Sequence, residues 1–426
     1  MKKFDAAGAA QSFLTRHGMY YDRIDMAAEL EKLLAVMEAD FRENGRTGRM
    51  IPTYVGDYQA PATERTVTVI DIGGTNVRSA AMTIGPHGIS RIGEVHSFLT
   101  PGVVRETDTA HFFREIVEGV RKDLVSDEVG ICFSLATIPQ RDRDAVMVAG
   151  GKQIRITDML GRRVGESFAQ AMTDLGMERK PRITVINDTV AAALGGRTPE
   201  QDCGSYIGFI YGTGINMCYR EPTGEWINTE VATYAGFPAG DIDDAFDAGL
   251  IDPGGDRLEK MVSGGYQGGL MMCILDTAAK EGVISERIPA VLKAVSRDND
   301  GEMLSSRDIS EFCKDPHGRG RIAAACESGE DREIIAAICE AITERSVRIC
   351  CVVLTAGLLR CGSARDPSCP VMITAEGSTY LKQKDFREKL EKCMAGFTRD
   401  RCGLHFVFRN VPDVILRGIG TACLSA

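Results

Sequence analysis

A strand that ends in a glycine turn occurs twice in this chain, and no other feature restricts its fold so tightly. The first copy runs Val67-Thr-Val-Ile-Asp71-Ile-Gly73-Gly74-Thr75-Asn76-Val-Arg78. The second runs Tyr206-Ile-Gly-Phe-Ile-Tyr-Gly212-Thr213-Gly214-Ile-Asn216. Each is an apolar, β-branched run, a Gly/Thr turn, an Asn and a second apolar run, which is the pattern of a β-hairpin. Backbone N–H groups exposed at such turns form an anion-binding nest, and glycine lets the backbone approach a phosphate closely. Two nests about 140 residues apart read as one polyphosphate gripped from both sides, and so as phosphoryl transfer.

With 426 residues the chain has room for two cores. Its net charge of −10 gives nucleic acid no overall attraction, and it has no long Lys/Arg run. The fourteen cysteines include the adjacent pair Cys350-Cys351 but no C-x-x-C. The N-terminus opens Lys2-Lys3-Phe4-Asp5 without the apolar core of a secretory leader, so reduced, cytoplasmic thiols are expected. The six histidines lack zinc-ligand spacing, and no structural metal is expected. The apolar stretch from about Ile334 to Leu359 is long enough to resemble a membrane span. Glu340, Glu344, Arg345 and Arg348 within it are costly at bilayer depth, and a buried helix is the better reading.

Residues 24–43 place Ile24, Ala27, Leu30, Leu34, Met37 and Phe41 at intervals of three or four, an amphipathic helix stopped near Asn44-Gly45. A connector from Ile51 to Pro61 leads to the first hairpin. Residues 111–124 read as a helix, Val129 to Ser134 as a buried strand, and 182–187 as a strand before a short Ala-rich helix. The Gly- and Asp-rich region 236–256 reads as loop. Helices are expected at about 257–281, 331–361 and 384–395, strands at 371–375 and 404–409, and a last turn at Gly418-Ile-Gly420. Strands and helices alternate in both halves, which is α/β architecture, and the repeated hairpin points to two related halves.

Asp71 ends the first strand, where a carboxylate beside phosphates calls for a bridging Mg²⁺. Read alone, it is also an Asp in an ordinary turn. Arg78 adds positive charge or is a solvated strand residue. Gly212-Thr213-Gly214 offers backbone donors and a hydroxyl, a weak signal unless paired with the first turn. Asn187-Asp188-Thr189 lies at a strand-to-helix switch, where α/β sites sit. Asp188 there suits a general base that takes the proton of an attacking alcohol, and it equally suits a helix N-cap. Glu230 and Glu259 suit acceptors for sugar hydroxyls, or plain surface charges.

Taken together and in order, these segments resemble the eukaryotic-type hexokinases, sugar kinases of the actin-like ATPase superfamily. That family carries LDLGGTN-x-R, FSFP, TKGF, NDT, GTG-x-N, NTEWGAFG, NPG-x-x-x-FEKM-x-SG, DGS and GSG. The counterparts here are Ile70 to Arg78, Phe133-Ser134, Asn187 to Thr189, Gly212 to Asn216, Asn228 to Gly236, Asp252 to Gly254, Leu258 to Gly264, Glu376 to Ser378 and Gly418 to Gly420. Met50 to Val55 looks like the family's MLPTYV, and the resemblance spans about residues 25–422.

The resemblance implies two actin-like (ribonuclease H-like) α/β domains around a nucleotide/sugar cleft. Residues 66–188 would form the small domain, and 1–65 with 189–426 the large one, with the C-terminal residues free to return to the small domain. It assigns Asp188 as catalytic base and Ser134, Lys152, Asn187, Asn216, Glu230 and Glu259 as sugar contacts. Asp71, Gly73, Gly74, Thr75, Asn76, Arg78, Gly212, Thr213, Gly214, Gly377 and Ser378 fall to ATP, with Asp71 holding Mg²⁺ through water. Departures gather on the sugar side. FSFP becomes Phe133-Ser-Leu-Ala-Thr-Ile-Pro139, TKGF becomes Gly150-Gly151-Lys152-Gln153, and the tryptophan of NTEWGAFG is Val231. After Gly420 six residues remain where the family adds a longer helix. The expected activity is ATP-dependent phosphorylation of a hexose, glucose first, at its 6-hydroxyl, with hexose and ATP as small-molecule partners and neither nucleic acid nor membrane. A catalytically weak hexose sensor and a kinase of the same fold acting on another sugar are the alternatives. No G-x-x-x-x-G-K-[ST] is present, which excludes a P-loop kinase.

Overall fold

Both glycine turns close antiparallel hairpins, and each hairpin seeds a mixed sheet of the same topology. The structure is a computed structural model that describes residues 5–56, 58–148, 154–197, 203–298 and 304–425. In the first sheet, β1 (Arg65–Ile72) pairs antiparallel with β2 (Asn76–Gly85), which pairs antiparallel with β3 (Gly88–Ile92). On its other side β1 pairs parallel with β4 (Glu128–Phe133), and β4 with β5 (Arg182–Ile186). The second sheet repeats this. Strand β6 (Tyr206–Tyr211) pairs antiparallel with β7 (Ile215–Arg220), and β7 with β8 (Trp226–Asn228). Strand β6 also pairs parallel with β9 (Val371–Glu376), and β9 with β10 (Phe406–Arg409). Within each half the order is third, second, first, fourth, fifth strand, with Ile51–Pro52 added to the edge of the second sheet. The repeated hairpin therefore marks a repeated half. The central strands are buried on both faces, as β1 shows from Val67 through Ile72, which fits their continuous apolar runs.

Two helices lie where the halves meet. Helix α1 (Asp188–Gly195) packs on β6, and the C-terminal helix, α4 (Val414–Cys423), packs on β1 and β4 and against α1. The expected turn at Gly418-Ile-Gly420 is thus corrected: both glycines lie inside α4. Gly418 is required by a close approach, because a Cβ there would stand 1.8 Å from the Ala191 carbonyl oxygen of α1. A Gly-x-Gly reads as a turn locally, but here it lets two helix backbones touch.

Between these elements lie two short-range departures. The region 236–256 contains the helix Asp241–Ala248, whose Asp243 carboxylate accepts the Gly240 N–H at 2.8 Å and whose Ile242 and Phe246 are buried. Three aspartates in its first turn complement the helix dipole, although they read as loop composition. The helix expected over 257–281 is two, α2 (Arg257–Val262) and Gly264–Lys280, broken at Ser263. At that break the Gly264 and Gly265 amides donate to the Gly212 and Thr213 carbonyls, at 2.9 and 3.0 Å. The interruption serves the second turn.

Under the second sheet, the helix expected over 331–361 is α3, Gly329–Cys361, and it is buried along most of its length. Among the described residues no helix is long and apolar enough to cross a membrane. Arg345 is 1% exposed and donates to Asp243 at 2.7 and 3.0 Å and to the Met261 carbonyl at 3.3 Å.

Candidate active site

The register of β1 with β2 sets Asp71 opposite Arg78. The Arg78 guanidinium donates from Nε and Nη2 to one oxygen of Asp71, Oδ2, at 3.1 and 2.7 Å. Asp71 itself is buried, so neither residue is the free turn or solvated strand charge that the bare sequence allowed. The turn between them is held from behind. The Thr100 hydroxyl donates to the Gly73 carbonyl at 2.8 Å, and the Thr100 N–H to the Thr75 carbonyl at 2.9 Å. Gly74, Thr75 and Asn76 are left exposed. Ser134, just past β4, donates its N–H to the Ile72 carbonyl at 3.2 Å, which places it at the same end of the sheet as Asp71.

Strand β5 delivers Asn187 and Asp188 to the same edge. Asn187 is the N-cap of α1, with its Oδ1 accepting from the Thr189 N–H at 2.9 Å and the Thr189 hydroxyl at 2.5 Å. Asp188 Oδ1 shares the Thr189 N–H at 2.9 Å. The capping chemistry that Asp188 suited falls mainly to its neighbour. Burial, then the Glu230 and Asp71 carboxylates, push the Asp188 carboxyl up to about 7, and its Thr189 bond opposes them. Cys132, fully buried, sits beside Asp71, Asp188 and Ser134, and burial with those two carboxylates holds its thiol protonated.

Across from Asp188, β7 and β8 present a network of amides and acids. The Asn216 amide donates to Asn228 Oδ1 at 2.9 Å and to Glu230 Oε1 at 3.3 Å, and the Asn228 amide donates to Glu230 Oε1 at 2.7 Å. Glu230 lies in the left-handed region, φ 48°, a conformation that costs energy for a residue with a side chain and recurs at functional sites. Its carboxyl is raised above the usual range by burial and, more weakly, by Asp256 and Glu259, while the two amides pull it back. Glu259 Oε2 accepts the Ile215 N–H at 3.2 Å, so α2 leans on the second turn. Neither glutamate is a plain surface charge.

The second turn is closed by Gly212 N–H donating to the Gly214 carbonyl at 2.9 Å, with Thr213 exposed. The Thr379 hydroxyl donates to the Gly212 carbonyl at 2.8 Å, which ties this turn to the segment after β9. Gly377 there has φ +118°, and a Cβ on it would lie 2.4 Å from the Tyr211 carbonyl oxygen. Ser378 begins a one-turn helix, Ser378–Lys382, and borders a cavity of 570 Å³ lined also by Ser306, Arg307, Ser310, Lys314 and Lys382. A wider cavity of 990 Å³ between Tyr54, Arg141 and Trp226 includes none of the expected site residues.

The structure thus brings Asp71, Asp188, Asn216, Glu230 and Glu259 together, flanked by the two turns. Lys152 lies outside the described residues. Sequence reasoning missed Asp256 and Asn228, and the second of these was in view as the first residue of Asn228-Thr-Glu230. Asp256, the residue before α2, has φ 46° and acts electrostatically on Glu230, and only its conformation marks it. The cavity beside Ser378 was also missed, because its walls lie some seventy residues apart in the chain.

Family models described as hexokinase match residues 14–198 and 206–426. Hexokinase-1 of Nicotiana tabacum is 24% identical over 426 aligned residues, covering 90% of this chain and 84% of that protein. Hexokinase-2 of Rattus norvegicus is 24% identical over 392 residues, covering 84% of this chain and 42% of its own length. The chain thus spans less than half the length of such mammalian relatives. Among solved structures, a hexokinase from Schistosoma mansoni complexed with glucose aligns at TM-score 0.79 and 18% identity, covering 99% of this chain and 100% of that one. A second hexokinase crystal structure aligns at TM-score 0.74 and 20% identity, covering 98% and 99%. These two likenesses establish the actin-like α/β fold, and the family models, which account for nearly all of the sequence, establish that this chain belongs to the hexokinase family.

Proposed function

We propose that this chain transfers the γ-phosphoryl group of ATP to the 6-hydroxyl of a hexose, glucose first. The observation that carries the reading is a carboxyl pushed up to about 7, Asp188, set between the two phosphate turns and faced by Glu230 and Asp71. A general base works best when its proton affinity lies near the operating pH. Asp188 takes the proton of the 6-hydroxyl as the oxygen attacks phosphorus. Asn187, Asn216, Glu230, Glu259, Ser134 and Lys152 hold the remaining hydroxyls, and paired acceptors suit neighbouring hydroxyl groups. The backbone at Gly73 to Asn76 and at Gly212 to Gly214, with Arg78 and Thr213, grips the phosphates. Gly377 and Ser378 lead into the cavity that suits adenosine. Phosphoryl transfer asks for positioning and charge neutralisation, and these donors supply both.

Mg²⁺ fits the donors present, because Asp71 is one buried carboxylate at the mouth of a phosphate cradle, a set that water and phosphate oxygens complete. When bound it would neutralise phosphate charge. Closure of the halves would expel water, which otherwise competes for the phosphoryl group. Fourteen unbridged cysteines support a cytoplasmic setting. A coupled ADP-release assay over a panel of hexoses and phosphoryl donors tests the proposal. ATP consumption at background with every hexose would sink it.

A further inference from the structure

The segment from Ile251 to Gly255 has no buried side chain, and Ile251 is fully exposed. Helix α2, which follows it and carries Glu259, has six residues, too few to hold itself. Leu258, Met261 and Val262 seat α2 in the core, and the Leu258 N–H donates to the Tyr234 carbonyl at 3.1 Å, but the loop before it is placed by polar bonds. They converge on one ion pair. Lys260, 2% exposed, donates from Nζ to Asp247 Oδ1 at 2.7 Å and to the Asp252 carbonyl at 2.5 Å, with Asp252 Oδ1 at 3.4 Å. Asp247, 7% exposed, accepts at Oδ2 from the Gly254 N–H at 2.8 Å and faces Arg257 Nη1 at 3.0 Å. One buried pair thus grips the loop at Asp252, at Gly254 and at the start of α2.

We propose that Asp247 and Lys260 are positioning residues for the acceptor site, an inference that rests on the hexokinase reading above. Their ion pair fixes the stretch from Asp252 to Glu259 so that Asp256, in its left-handed conformation, and Glu259, on the Ile215 N–H, stand beside Glu230. For stability alone an apolar pair of similar volume serves as well as a buried ion pair, and what the charges add is a defined register. Between Ile251 and Gly255 no buried side chain holds that register. Asp247 and Lys260 touch no substrate. They act through the two carboxylates that follow the loop.

The test compares wild type, Asp247→Asn, Lys260→Met and the double variant by steady-state kinetics and thermal melting. Each single variant takes from one buried charge its closest opposite charge, and the double variant removes that mismatch. The expected result is a hexose KM raised about tenfold or more in all three, the scale of a misplaced binding group, with kcat and the KM for ATP little changed. The melting temperature falls in the single variants and recovers in the double one, while its KM stays high. If the KM recovers together with the melting temperature, the pair is merely structural and the proposal falls, and it falls too if Lys260→Met keeps the wild-type KM. Should the single variants fail to fold, the KM of the double variant alone decides between the two. A wild-type protein inert toward every hexose overturns the hexokinase reading and this inference with it. An active wild type with unmoved variants overturns this inference only.

Discussion

The Glu230 carboxylate is the strongest neighbouring charge on Asp188, although Asp188 follows β5 of the first sheet and Glu230 follows β8 of the second, 42 positions later. Asp71 is the next strongest. Burial and these two charges make ionisation of Asp188 costly, so the carboxyl at the strand-to-helix switch gains proton affinity. A carboxyl raised from its ordinary 3.8 to about 7 has a specific chemical use: it can accept a proton at neutral pH and return it.

Replacing Asp188, the proposed base, should stop chemistry and spare the fold. Asp188→Ala removes a side chain whose capping role Asn187 largely carries. We expect a normal far-UV spectrum, hexose binding within a few-fold of wild type, and a loss of at least about 10²-fold in kcat, the scale of general-base catalysis. Near-wild-type turnover would refute the assignment.

The pH profile should report Asp188 and its neighbour. A base works only when deprotonated, so kcat/KM should fall as pH drops through about 7, well above the range of an ordinary carboxylate. Glu230→Gln deletes the largest like charge on Asp188 and should move that acid limb to lower pH. A limb near 4 in wild type, or one that Glu230→Gln leaves in place, would contradict the arrangement.

The same proton has a consequence for stability. The folded Asp188 carboxyl holds its proton up to about 7, and the unfolded one releases it near 3.8. Between those values the folded state binds more protons, so stability is fully present below about pH 4 and is lost as pH rises through 7. Asp188→Asn escapes that loss. It should melt higher than wild type at pH 8, by about 2 kcal/mol of stability once partial solvent access is allowed for, and should match it near pH 4. Thermal melts of both proteins from pH 4 to 8 decide this, and a difference that does not vary with pH would count against it.

Much of the site is legible in the chain because its chemistry is local. A glycine turn after a β-branched strand, or Asn-Asp-Thr between a strand and a helix, is written in consecutive residues. Gly418 shows the opposite case. Its neighbours spell a turn, and only the carbonyl of Ala191, some 230 positions earlier, explains why a helix needs glycine there. Asp256 was missed for a related reason, since it looks like any loop aspartate until its backbone turns left-handed beside Glu230. The helix Asp241–Ala248 was hidden by its own N-terminal acids, which count as loop composition and as helix-starting charge alike. Ser306 to Lys314 form a cavity wall with Ser378 only through packing, and no spacing in the chain links them.

Gly377 packs on the second turn and precedes Ser378, which borders that hidden cavity, and it offers a test of the proposed nucleotide side that leaves Asp188 untouched. Its φ of +118° is open to glycine and strained for any L side chain. A methyl group there would also meet the Tyr211 carbonyl at 2.4 Å and the Gly212 nitrogen at 2.8 Å, so the backbone must shift, and the second glycine turn with it. Gly377→Ala should therefore lower stability by about 1–3 kcal/mol, the cost of a strained conformation. It should raise the KM for ATP by about tenfold or more and the KM for hexose by less, because Glu259 reaches this turn only through the Ile215 N–H while Asn216 and Glu230 bond to each other beyond it. Steady-state kinetics with each substrate varied in turn separates the two. An equal rise in both constants would mean that the change has loosened the whole cleft, and a wild-type KM for ATP would mean that Gly377 does not border the nucleotide.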